Sequence, residues 1–181
     1  MAWRILIKGT SGAGKSTLGR VLARHLNVPF IELDALHHGP NWVPASAEAL
    51  RQSVLGSLDD ERGWVVDGNY DSKLGSLVVA RARIVIWLDL PLHTKLWRLV
   101  TRTSRRWWND EQLWNGNRET LKSAVWGRDA LLLWMLRSHY RHRRAWPGQL
   151  RSRGLVRLKT NAKVLAWVAD FRANAPSAAP R

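Results

Sequence analysis

Eight residues near the start of the chain, Gly9–Ser16, have the pattern G-x-x-x-x-G-K-S. Glycine reaches backbone conformations that are closed to other residues, so successive N–H groups can turn inward around an anion. The side chain of Lys15 would then reach the β- and γ-phosphates of a nucleotide, and the Ser16 hydroxyl would bind Mg²⁺. The pattern therefore predicts a phosphate-binding loop, or P-loop.

The sequence on either side of this loop supports the prediction. Trp3–Lys8 is a short strand-like run, and a helical pattern begins at Thr17. A loop between a strand and a helix directs the positive N-terminal end of the helix at the phosphates. The alternative is a glycine-rich turn that binds nothing, and this context disfavours it. The apolar side chains on one face of the helix are Leu18, Val21, Leu22 and Leu26.

The length and composition set broad limits. A chain of 181 residues can form one domain with a substantial core. It has no cysteine, which excludes a disulfide framework and a thiolate zinc site. There is no apolar run long enough to span a bilayer, and the first strand begins close to Met1, so we expect a cytoplasmic protein without a membrane partner.

The net charge of +15 is large for this length and unevenly distributed. Residues 91–159 contain sixteen Lys or Arg against four Asp or Glu, and seven of the twelve tryptophans lie between Trp97 and Trp146. A basic, tryptophan-rich half is typical of a chain that binds a polyanion, either nucleotide phosphates or nucleic acid. A solvated basic surface without a partner is the alternative, and the sequence leaves both open.

Two carboxylates are predicted at the ends of strands. Phe30–Leu33 is predicted as a strand ending at Asp34, and Gly63–Asp67 as a strand followed by Gly68. Ligands of open parallel sheets bind at the carboxyl ends of the strands, so both side chains are expected to face the site. An apolar strand closed by Asp is also typical of a carboxylate that holds Mg²⁺. The alternatives are a helix cap for Asp34 and a simple turn for Asp67.

The segment His37–Pro44 contains two prolines and a glycine, so we expect an irregular loop on the substrate side. Its adjacent histidines have no third ligand at metal spacing, which argues against a metal site. A helix is predicted from about Ser46 to Leu58, with Leu50, Val54 and Leu58 facing inward.

The fourth strand is predicted over Arg83–Pro91, followed by a helix at about 92–106 and a loop at 107–118. Arg98 and Arg102 are four residues apart on this helix and therefore share one face.

A long helix is predicted from about Glu119 to Arg144 and stops at Trp146-Pro147-Gly148. Arg137 and Arg141 share one face near its end. The inward residues predicted for this helix include Leu121, Val125, Leu132 and Met135. The last elements are a strand over Gly154–Leu158 and a helix over Asn161–Phe171 with Val164, Leu165 and Val168 facing inward.

Five strands alternating with helices predict a three-layer α/β/α fold with a five-stranded parallel sheet. With right-handed crossovers and the P-loop strand at the centre, we expect the strand order 2-3-1-4-5. Residues 1–173 are predicted to form a single domain with an arginine-rich helical lid at about 102–146. Residues 174–181 are expected to be a flexible tail.

Together these motifs resemble the small P-loop kinases of nucleosides and metabolites, the group of adenylate, shikimate and gluconate kinases. The resemblance extends to bacterial adenylate-kinase-like proteins that are often named topology modulation proteins, and it covers the chain up to about Phe171. The motifs that carry the resemblance are Gly9–Thr17, Leu33-Asp34, Gly39–Trp42, Trp64–Tyr70 and Leu88–Pro91 followed by arginines.

The resemblance implies ATP and Mg²⁺ as cofactors, with Mg²⁺ held by Ser16 and Asp67. It also implies that Asp34 acts on the acceptor. Lid arginines would neutralise the transferred phosphate and bind the nucleotide. The implied catalytic residues are Lys15, Asp34, Arg102, Arg137 and Arg141. The implied ATP-binding residues are Gly9, Thr10, Ser11, Gly12, Ala13, Gly14, Lys15, Ser16, Thr17, Arg98 and Arg102.

The chain departs from these families where the acceptor binds. Adenylate kinases have Asp-Gly-Phe-Pro-Arg where this chain has Asp67-Gly68-Asn69-Tyr70, so the arginine that helps to bind the acceptor nucleotide is missing. The glycine triplet that holds shikimate is missing too. The sequence therefore identifies neither AMP nor shikimate as the acceptor.

Three functions remain as hypotheses. The first is a Mg²⁺-dependent phosphotransferase that moves the ATP γ-phosphate to a small-molecule hydroxyl or phosphate. The second is a nucleic-acid-associated ATPase or a polynucleotide 5′-hydroxyl kinase, in which the basic residues 98–159 follow phosphates and tryptophans stack on bases. The third is a nucleotide-binding switch with negligible turnover. The sequence leaves the oligomeric state open.

Overall fold

The computed structural model describes residues 2–117, 131–150 and 154–175. Within them, five strands form one parallel sheet in the order β2-β3-β1-β4-β5, which confirms the predicted topology. The strands are β1 (Trp3–Lys8), β2 (Phe30–Glu32), β3 (Gly63–Asp67), β4 (Ile84–Leu88) and β5 (Gly154–Leu158).

Eight helices surround the sheet in the described part of the chain. Two single turns of 3-10 helix, Pro40–Trp42 and Trp114–Gly116, lie in the connections. The helices are α1 (Lys15–Leu26), α2 (Leu33–His37), α3 (Ala47–Ser57), α4 (Asp71–Leu74), α5 (Leu77–Arg81), α6 (Leu92–Trp108), α7 (Leu131–Gln149) and α8 (Asn161–Asn174).

The sheet has an apolar core on each face because side chains alternate along a strand. Leu6 of β1 packs on one face with residues of α3, α5 and α7. Ile5 and Ile7 pack on the other face with residues of α1 and α8. Since β1 is central and covered on both faces, its middle residues Ile5–Ile7 are all apolar, as is usual for a parallel strand. The P-loop therefore follows the central strand of the sheet.

The predicted end of the second strand is wrong. β2 stops at Glu32, and Asp34 lies in the first turn of the short helix α2. An acidic residue is favoured in the first turn because it faces the positive end of the helix dipole. His37 is thus helical, and a single 3-10 turn at Pro40–Trp42 interrupts the expected irregular loop.

The predicted end of the long helix is also wrong. α7 continues through Pro147 to Gln149, and the N–H of Leu150 donates to the Trp146 carbonyl at 3.0 Å. Trp146 is buried with its ring centroid 5.5 Å from that of Trp87, and this packing holds the last turn in place despite the proline. The predicted part of this helix before Leu131, with Leu121 and Val125, lies outside the described residues.

Two further boundaries differ from the prediction. α6 extends to Trp108, and α8 extends to Asn174. Leu165 was predicted to face inward on α8, but it is 71% exposed, whereas Val164 and Val168 pack against the core. None of the described helices has the length and apolar character needed to cross a bilayer. The single domain at 1–173 and its tail stay predictions.

Candidate active site

A cavity of about 1350 Å³ lies at the carboxyl ends of the strands. Its walls come from the P-loop and α1, from the chain after β2 and β3, and from α6 and α8. Ligands of open parallel sheets bind at this edge, and a concave site with convergent polar groups is the usual form of a ligand site. The cavity therefore lies where Asp34 and Asp67 were predicted to face.

The P-loop has the backbone that its glycines predict. Gly12 and Gly14 have φ angles of 75° and 91°, in the left-handed region that favours glycine. A Cβ atom on Gly12 would overlap the Lys95 carbonyl, so α6 packs directly on the loop. The N–H of Ala13 donates to the Thr10 carbonyl at 3.1 Å and closes the turn.

The predicted phosphate-binding residues fall into two groups. Gly9 and Thr10, the first two residues of the loop, are buried. The seven residues that follow line the cavity, and α1 begins at Lys15 with its N-terminal end toward it. Those seven are Ser11, Gly12, Ala13, Gly14, Lys15, Ser16 and Thr17.

Asp67 ends β3 beside the P-loop and is 1% exposed. Burial raises its pKa to about 6, although the positive charge of Lys15 and a hydrogen bond from the Ser16 side chain act in the opposite direction. The charges of Asp34 and Glu32 raise the pKa further. Lys15, Ser16 and Asp34 thus all lie within electrostatic reach of Asp67.

The residues at this point fit a magnesium ion. The Oδ2 atom of Asp67 is buried and has no hydrogen-bond partner among the described residues, and the Ser16 hydroxyl lies beside the carboxylate. A carboxylate and a hydroxyl are oxygen donors that suit Mg²⁺, which completes its shell with phosphate oxygens and water in phosphoryl-transfer sites. Within the described ranges, no cluster of three His, Cys, Asp or Glu side chains could hold a metal alone.

The raised pKa predicts that Asp67 destabilises the ligand-free protein at neutral pH. The unfolded carboxyl group loses its proton near pH 3.8 and the folded one near pH 6, so the free energy of unfolding falls as the pH rises between these values. Two pKa units correspond to about 3 kcal/mol. In EDTA, Asp67→Asn should therefore raise the free energy of unfolding in urea by up to this amount at pH 7, and by much less at pH 4. An equal effect at both pH values would contradict the assignment.

Asp34 is held by Tyr70, which the sequence placed on the acceptor side without a partner. Its Oδ1 atom accepts a hydrogen bond of 2.7 Å from the Tyr70 hydroxyl, and the Tyr70 ring lies 4.6 Å from the His37 ring. Burial, together with the charge of Asp34, raises the pKa of Tyr70, so the phenol keeps its proton and continues to donate. This bond fixes the orientation of the Asp34 carboxylate at the cavity wall.

Asn69 connects the end of β3 to the P-loop, and sequence reasoning missed this role. Its side-chain Oδ1 accepts the Gly9 N–H at 3.2 Å, and its Nδ2 donates to the Gly9 carbonyl at 2.7 Å. The amide thus satisfies both backbone groups of the first P-loop glycine. A polar residue directly after Asp67-Gly68 was the available signal, but it could not show which backbone it binds.

Asn69→Ala should weaken ATP binding by up to about thirtyfold, because two hydrogen bonds of about 1 kcal/mol each that position the loop are lost. Isothermal titration of the ligand-free protein with ATP and Mg²⁺ would measure this. The matched control is Asn109→Ala, since Asn109 is exposed and does not line the cavity. ATP affinity unchanged by Asn69→Ala would show that the connection does not position the P-loop.

The arginines of α6 belong to the site. Arg98 and Arg102 line the cavity, as predicted, and a Cβ atom on Gly14 would lie 3.4 Å from the Arg98 Nη1 atom. Arg98 Nη2 also donates to the Asn161 side chain at 3.0 Å, which connects α6 to the start of α8. Two further arginines, Arg105 and Arg106, line the same cavity and were not among the predicted site residues.

Arg137 and Arg141 are not brought to the site. Both are exposed on α7, and neither lines the cavity. The physical reason is the helical phase, because the buried side chains recur every three or four residues and leave positions 137 and 141 on the opposite face. The buried side chains of α7 are Met135, Ser138, His139, His142 and Trp146.

Polar contacts hold α7 with this face toward the protein interior. Arg143 Nε donates to Asp89 Oδ1 at 2.7 Å, and Arg157 Nη2 donates to Asp89 Oδ2 at 2.6 Å. Lys95 Nζ lies 2.6 Å from His139 Nδ1, and burial lowers the pKa of Lys95 to about 8. Part of the large positive charge of the chain therefore serves internal ion pairs.

The residues 109–117 after α6, here called the lid segment, reach back over the cavity. Asn117 Oδ1 accepts the Trp42 N–H at 2.9 Å, and its Nδ2 donates to the Gly39 carbonyl at 2.9 Å. Asn115 Nδ2 donates to the His38 carbonyl at 2.5 Å. The lid segment is thus fixed to the loop that follows α2, on the side of the cavity that contains Asp34.

Sequence comparisons give relatives for parts of the chain. The shikimate kinase family matches residues 11–40. A shikimate kinase of Bacteroides thetaiotaomicron is 64% identical over 60 residues, which are 33% of this chain and 29% of the relative. A shikimate kinase of Chlorobium chlorochromatii is 32% identical over 121 residues, 60% of this chain and 64% of the relative. The chain thus spans less than a third of the length of the Bacteroides relative.

Solved structures match over nearly the whole chain. A shikimate kinase from Bacteroides thetaiotaomicron has a TM-score of 0.56 at 16% identity, covering 94% of this chain and 97% of that one. A gluconokinase from Sinorhizobium meliloti has a TM-score of 0.53 at 19% identity, covering 95% and 94%. At these identities the likeness shows the fold, and the P-loop and the short sequence matches agree with it. The chain belongs to the P-loop kinase superfamily.

Proposed function

We propose that the protein is an ATP- and Mg²⁺-dependent phosphotransferase that moves the γ-phosphate of ATP to a hydroxyl group of a small molecule. One observation carries the proposal. Lys15 and Ser16 of the P-loop line one cavity with Asp34, a carboxylate held in place by Tyr70, and Asp67 lies buried beside Ser16. A site that only bound a nucleotide would have no use for a second, oriented carboxylate at the cavity wall.

Different residues of this chain would serve different parts of phosphoryl transfer. The P-loop N–H groups and Lys15 would bind the β- and γ-phosphates. Arg98 and Arg102 of α6 would neutralise the negative charge of the transferred phosphate. Ser16 and Asp67 would hold Mg²⁺, which supplies further neutralisation of phosphate charge when bound.

Asp34 would act on the acceptor. The acceptor hydroxyl attacks the γ-phosphorus, the bond to the bridging oxygen of ADP breaks, and the hydroxyl proton passes to the Asp34 carboxylate. The lid segment covers this side of the cavity, which would limit attack by water.

Transfer of labelled phosphate tests the proposal. The protein would be incubated with γ-labelled ATP, Mg²⁺ and separate acceptors: nucleosides, nucleoside monophosphates, sugars, hydroxy acids and a 5′-hydroxyl oligonucleotide. We expect label on a small hydroxyl compound. Label on the oligonucleotide alone would contradict the proposal and favour the nucleic-acid hypothesis.

The matched relatives favour the small-molecule function. They are described as shikimate kinases and a gluconokinase, whereas a polynucleotide kinase or a nucleic-acid ATPase would need a different acceptor. The two classes also differ in salt dependence, because binding through many phosphates weakens steeply between low and moderate salt. The narrower likeness to topology modulation proteins and the cytoplasmic location stay predictions.

A further inference from the structure

We propose that Asn117 is a positioning residue for the acceptor. Its side-chain amide holds residues 39–42, here called the acceptor loop, in the conformation that forms one wall of the cavity, so this wall is complete only while the lid segment is docked. The inference rests on the proposed phosphotransferase function and identifies how its acceptor side is assembled. Asn117 itself does not line the cavity and acts through the acceptor loop.

The Asn117 side chain joins the lid segment to the acceptor loop, and the residue is 4% exposed. Its Oδ1 atom accepts the Trp42 N–H at 2.9 Å. Its Nδ2 atom donates to the Gly39 carbonyl at 2.9 Å and to the Trp114 carbonyl at 2.8 Å. A buried amide whose oxygen and both N–H groups are engaged has one favoured orientation, so these bonds fix the lid segment and the acceptor loop relative to each other.

The backbone at the tip of the acceptor loop requires support from outside the loop. Asn41 and Trp42 have φ angles of 57° and 60°. Turns with positive φ at both central residues favour Asn-Gly, and here a tryptophan takes the place of the glycine. A bulky residue is rare in this left-handed region and persists there where its surroundings enforce it. Asn117 binds the N–H of Trp42 itself, at the point of strain.

The other contacts of the acceptor loop are local or exposed. The Gly39 N–H donates to the Val43 carbonyl at 2.8 Å, which closes the base of the loop. The Val43 N–H donates to the Pro40 carbonyl at 3.3 Å, a long bond for a turn. Asn115 adds a bond from the lid segment to the chain just before the loop, but Asn115 is exposed and water competes for its partners. Asn117 thus gives the tip a buried contact.

The acceptor loop carries one end of a row of rings that leads to the predicted proton acceptor. The Trp42 ring centroid lies 5.3 Å from that of His38, and the His38 centroid lies 4.7 Å from that of His37. The His37 centroid lies 4.6 Å from that of Tyr70, whose hydroxyl donates to Asp34. All five side chains belong to residues that line the cavity. A shift of the Trp42 backbone would therefore disturb the packing around the carboxylate.

The nucleotide side of the cavity has its own supports. Asn69 holds the first P-loop glycine, and α6 packs on the loop at Gly12. Neither contact involves the acceptor loop. Loss of the Asn117 side chain should therefore affect the acceptor and leave ATP binding unchanged, a selective effect that a general loss of stability would not produce.

Asn117→Ala tests this selectivity. The acceptor is the hydroxyl compound that receives label in the experiment with γ-labelled ATP. We expect its KM to rise about tenfold, because the bonds that hold the acceptor loop are lost. The dissociation constant for ATP, measured by isothermal titration with Mg²⁺, should stay the same. Asn109→Ala is the matched control, since Asn109 lies in the same lid segment, is exposed and does not line the cavity.

A double-mutant cycle measures whether Asn117 acts through Trp42. Glycine adopts a φ of 60° without strain, so the loop of Trp42→Gly does not need the lid segment to hold it. Trp42→Gly alone should raise the KM for the acceptor, because its ring leaves the cavity wall. Adding Asn117→Ala to this variant should raise the KM by less than about twofold more, against about tenfold in the parent protein.

The outcomes separate the two proposals. An unchanged acceptor KM in Asn117→Ala, or equal effects of this substitution in both backgrounds, would overturn the inference while leaving a working phosphotransferase. Loss of ATP binding or of the cooperative urea transition in Asn117→Ala would also overturn it, because the residue would then support the whole fold. If the parent protein binds ATP but transfers phosphate to no small hydroxyl compound, the proposed function fails, and this inference with it.

Discussion

Lys15→Ala is expected to lower kcat/KM for phosphoryl transfer by about a thousandfold, the scale seen when a preorganised charge on the transferred phosphate is removed. Lys15 begins α1 and lines the cavity, and its charge reaches Asp67, so in the proposed reaction it would lie where phosphate charge develops. Steady-state kinetics of ADP release would measure the loss.

The fold should survive this substitution. Lys15 is not part of either apolar core, so the urea midpoint of Lys15→Ala should match that of the parent protein. Lys163→Ala is the control, because Lys163 is exposed on α8 and does not line the cavity. Parental rates in Lys15→Ala would show that the P-loop is not the phosphate site of the reaction.

Asp34→Asn is expected to lower kcat by about a hundredfold or more, because the amide cannot take the acceptor proton. The dissociation constant for ATP should stay the same, since in the proposed function the P-loop, and not Asp34, would hold the nucleotide phosphates. Pre-steady-state kinetics together with ATP titration would separate these two quantities.

A substitution of Tyr70 tests the same role of Asp34 with a smaller expected effect. Tyr70→Phe removes the hydrogen bond of 2.7 Å to Asp34 but keeps the carboxylate, so its loss of kcat should be smaller, about tenfold. Glu48→Gln is the control, because Glu48 is exposed on α3, away from the cavity. If Tyr70→Phe were as impaired as Asp34→Asn, or Asp34→Asn retained full kcat, the carboxylate would not be the proton acceptor.

Local sequence signals predicted the sheet and the P-loop correctly. The buried strands are short apolar runs separated by helical patterns, and together with right-handed crossovers they limit the strand order to one common arrangement. The P-loop is encoded by the glycine spacing within Gly9–Ser16, so no distant contact was needed to recognise it.

The contacts that complete the site could not be predicted because they join distant parts of the chain. Asn69 is 60 residues from Gly9, and Tyr70 is 36 residues from Asp34. Trp114 was placed only in a loop, and its contact to Glu32 spans 82 residues. Such pairs follow from the fold rather than from local periodicity.

The arginines in the second half of the chain show a different limit of prediction from sequence. Arg137 and Arg141 have the same spacing as Arg98 and Arg102, yet only the α6 pair lines the cavity. A spacing of four residues shows that two side chains share a face, but not which face packs inward. On α7 that choice is made by contacts such as that of Arg143 with the buried Asp89 carboxylate, which the sequence pattern did not reveal.

The most direct test of the central claim is the fate of the γ-phosphate, followed by ³¹P NMR during turnover with an accepted hydroxyl compound. If the protein is a phosphotransferase, the γ-phosphate resonance of ATP should be replaced by a phosphomonoester resonance, with one ADP formed for each. Both should disappear together in Lys15→Ala. Conversion of ATP to ADP and inorganic phosphate alone, with no phosphomonoester for any hydroxyl compound, would contradict the account.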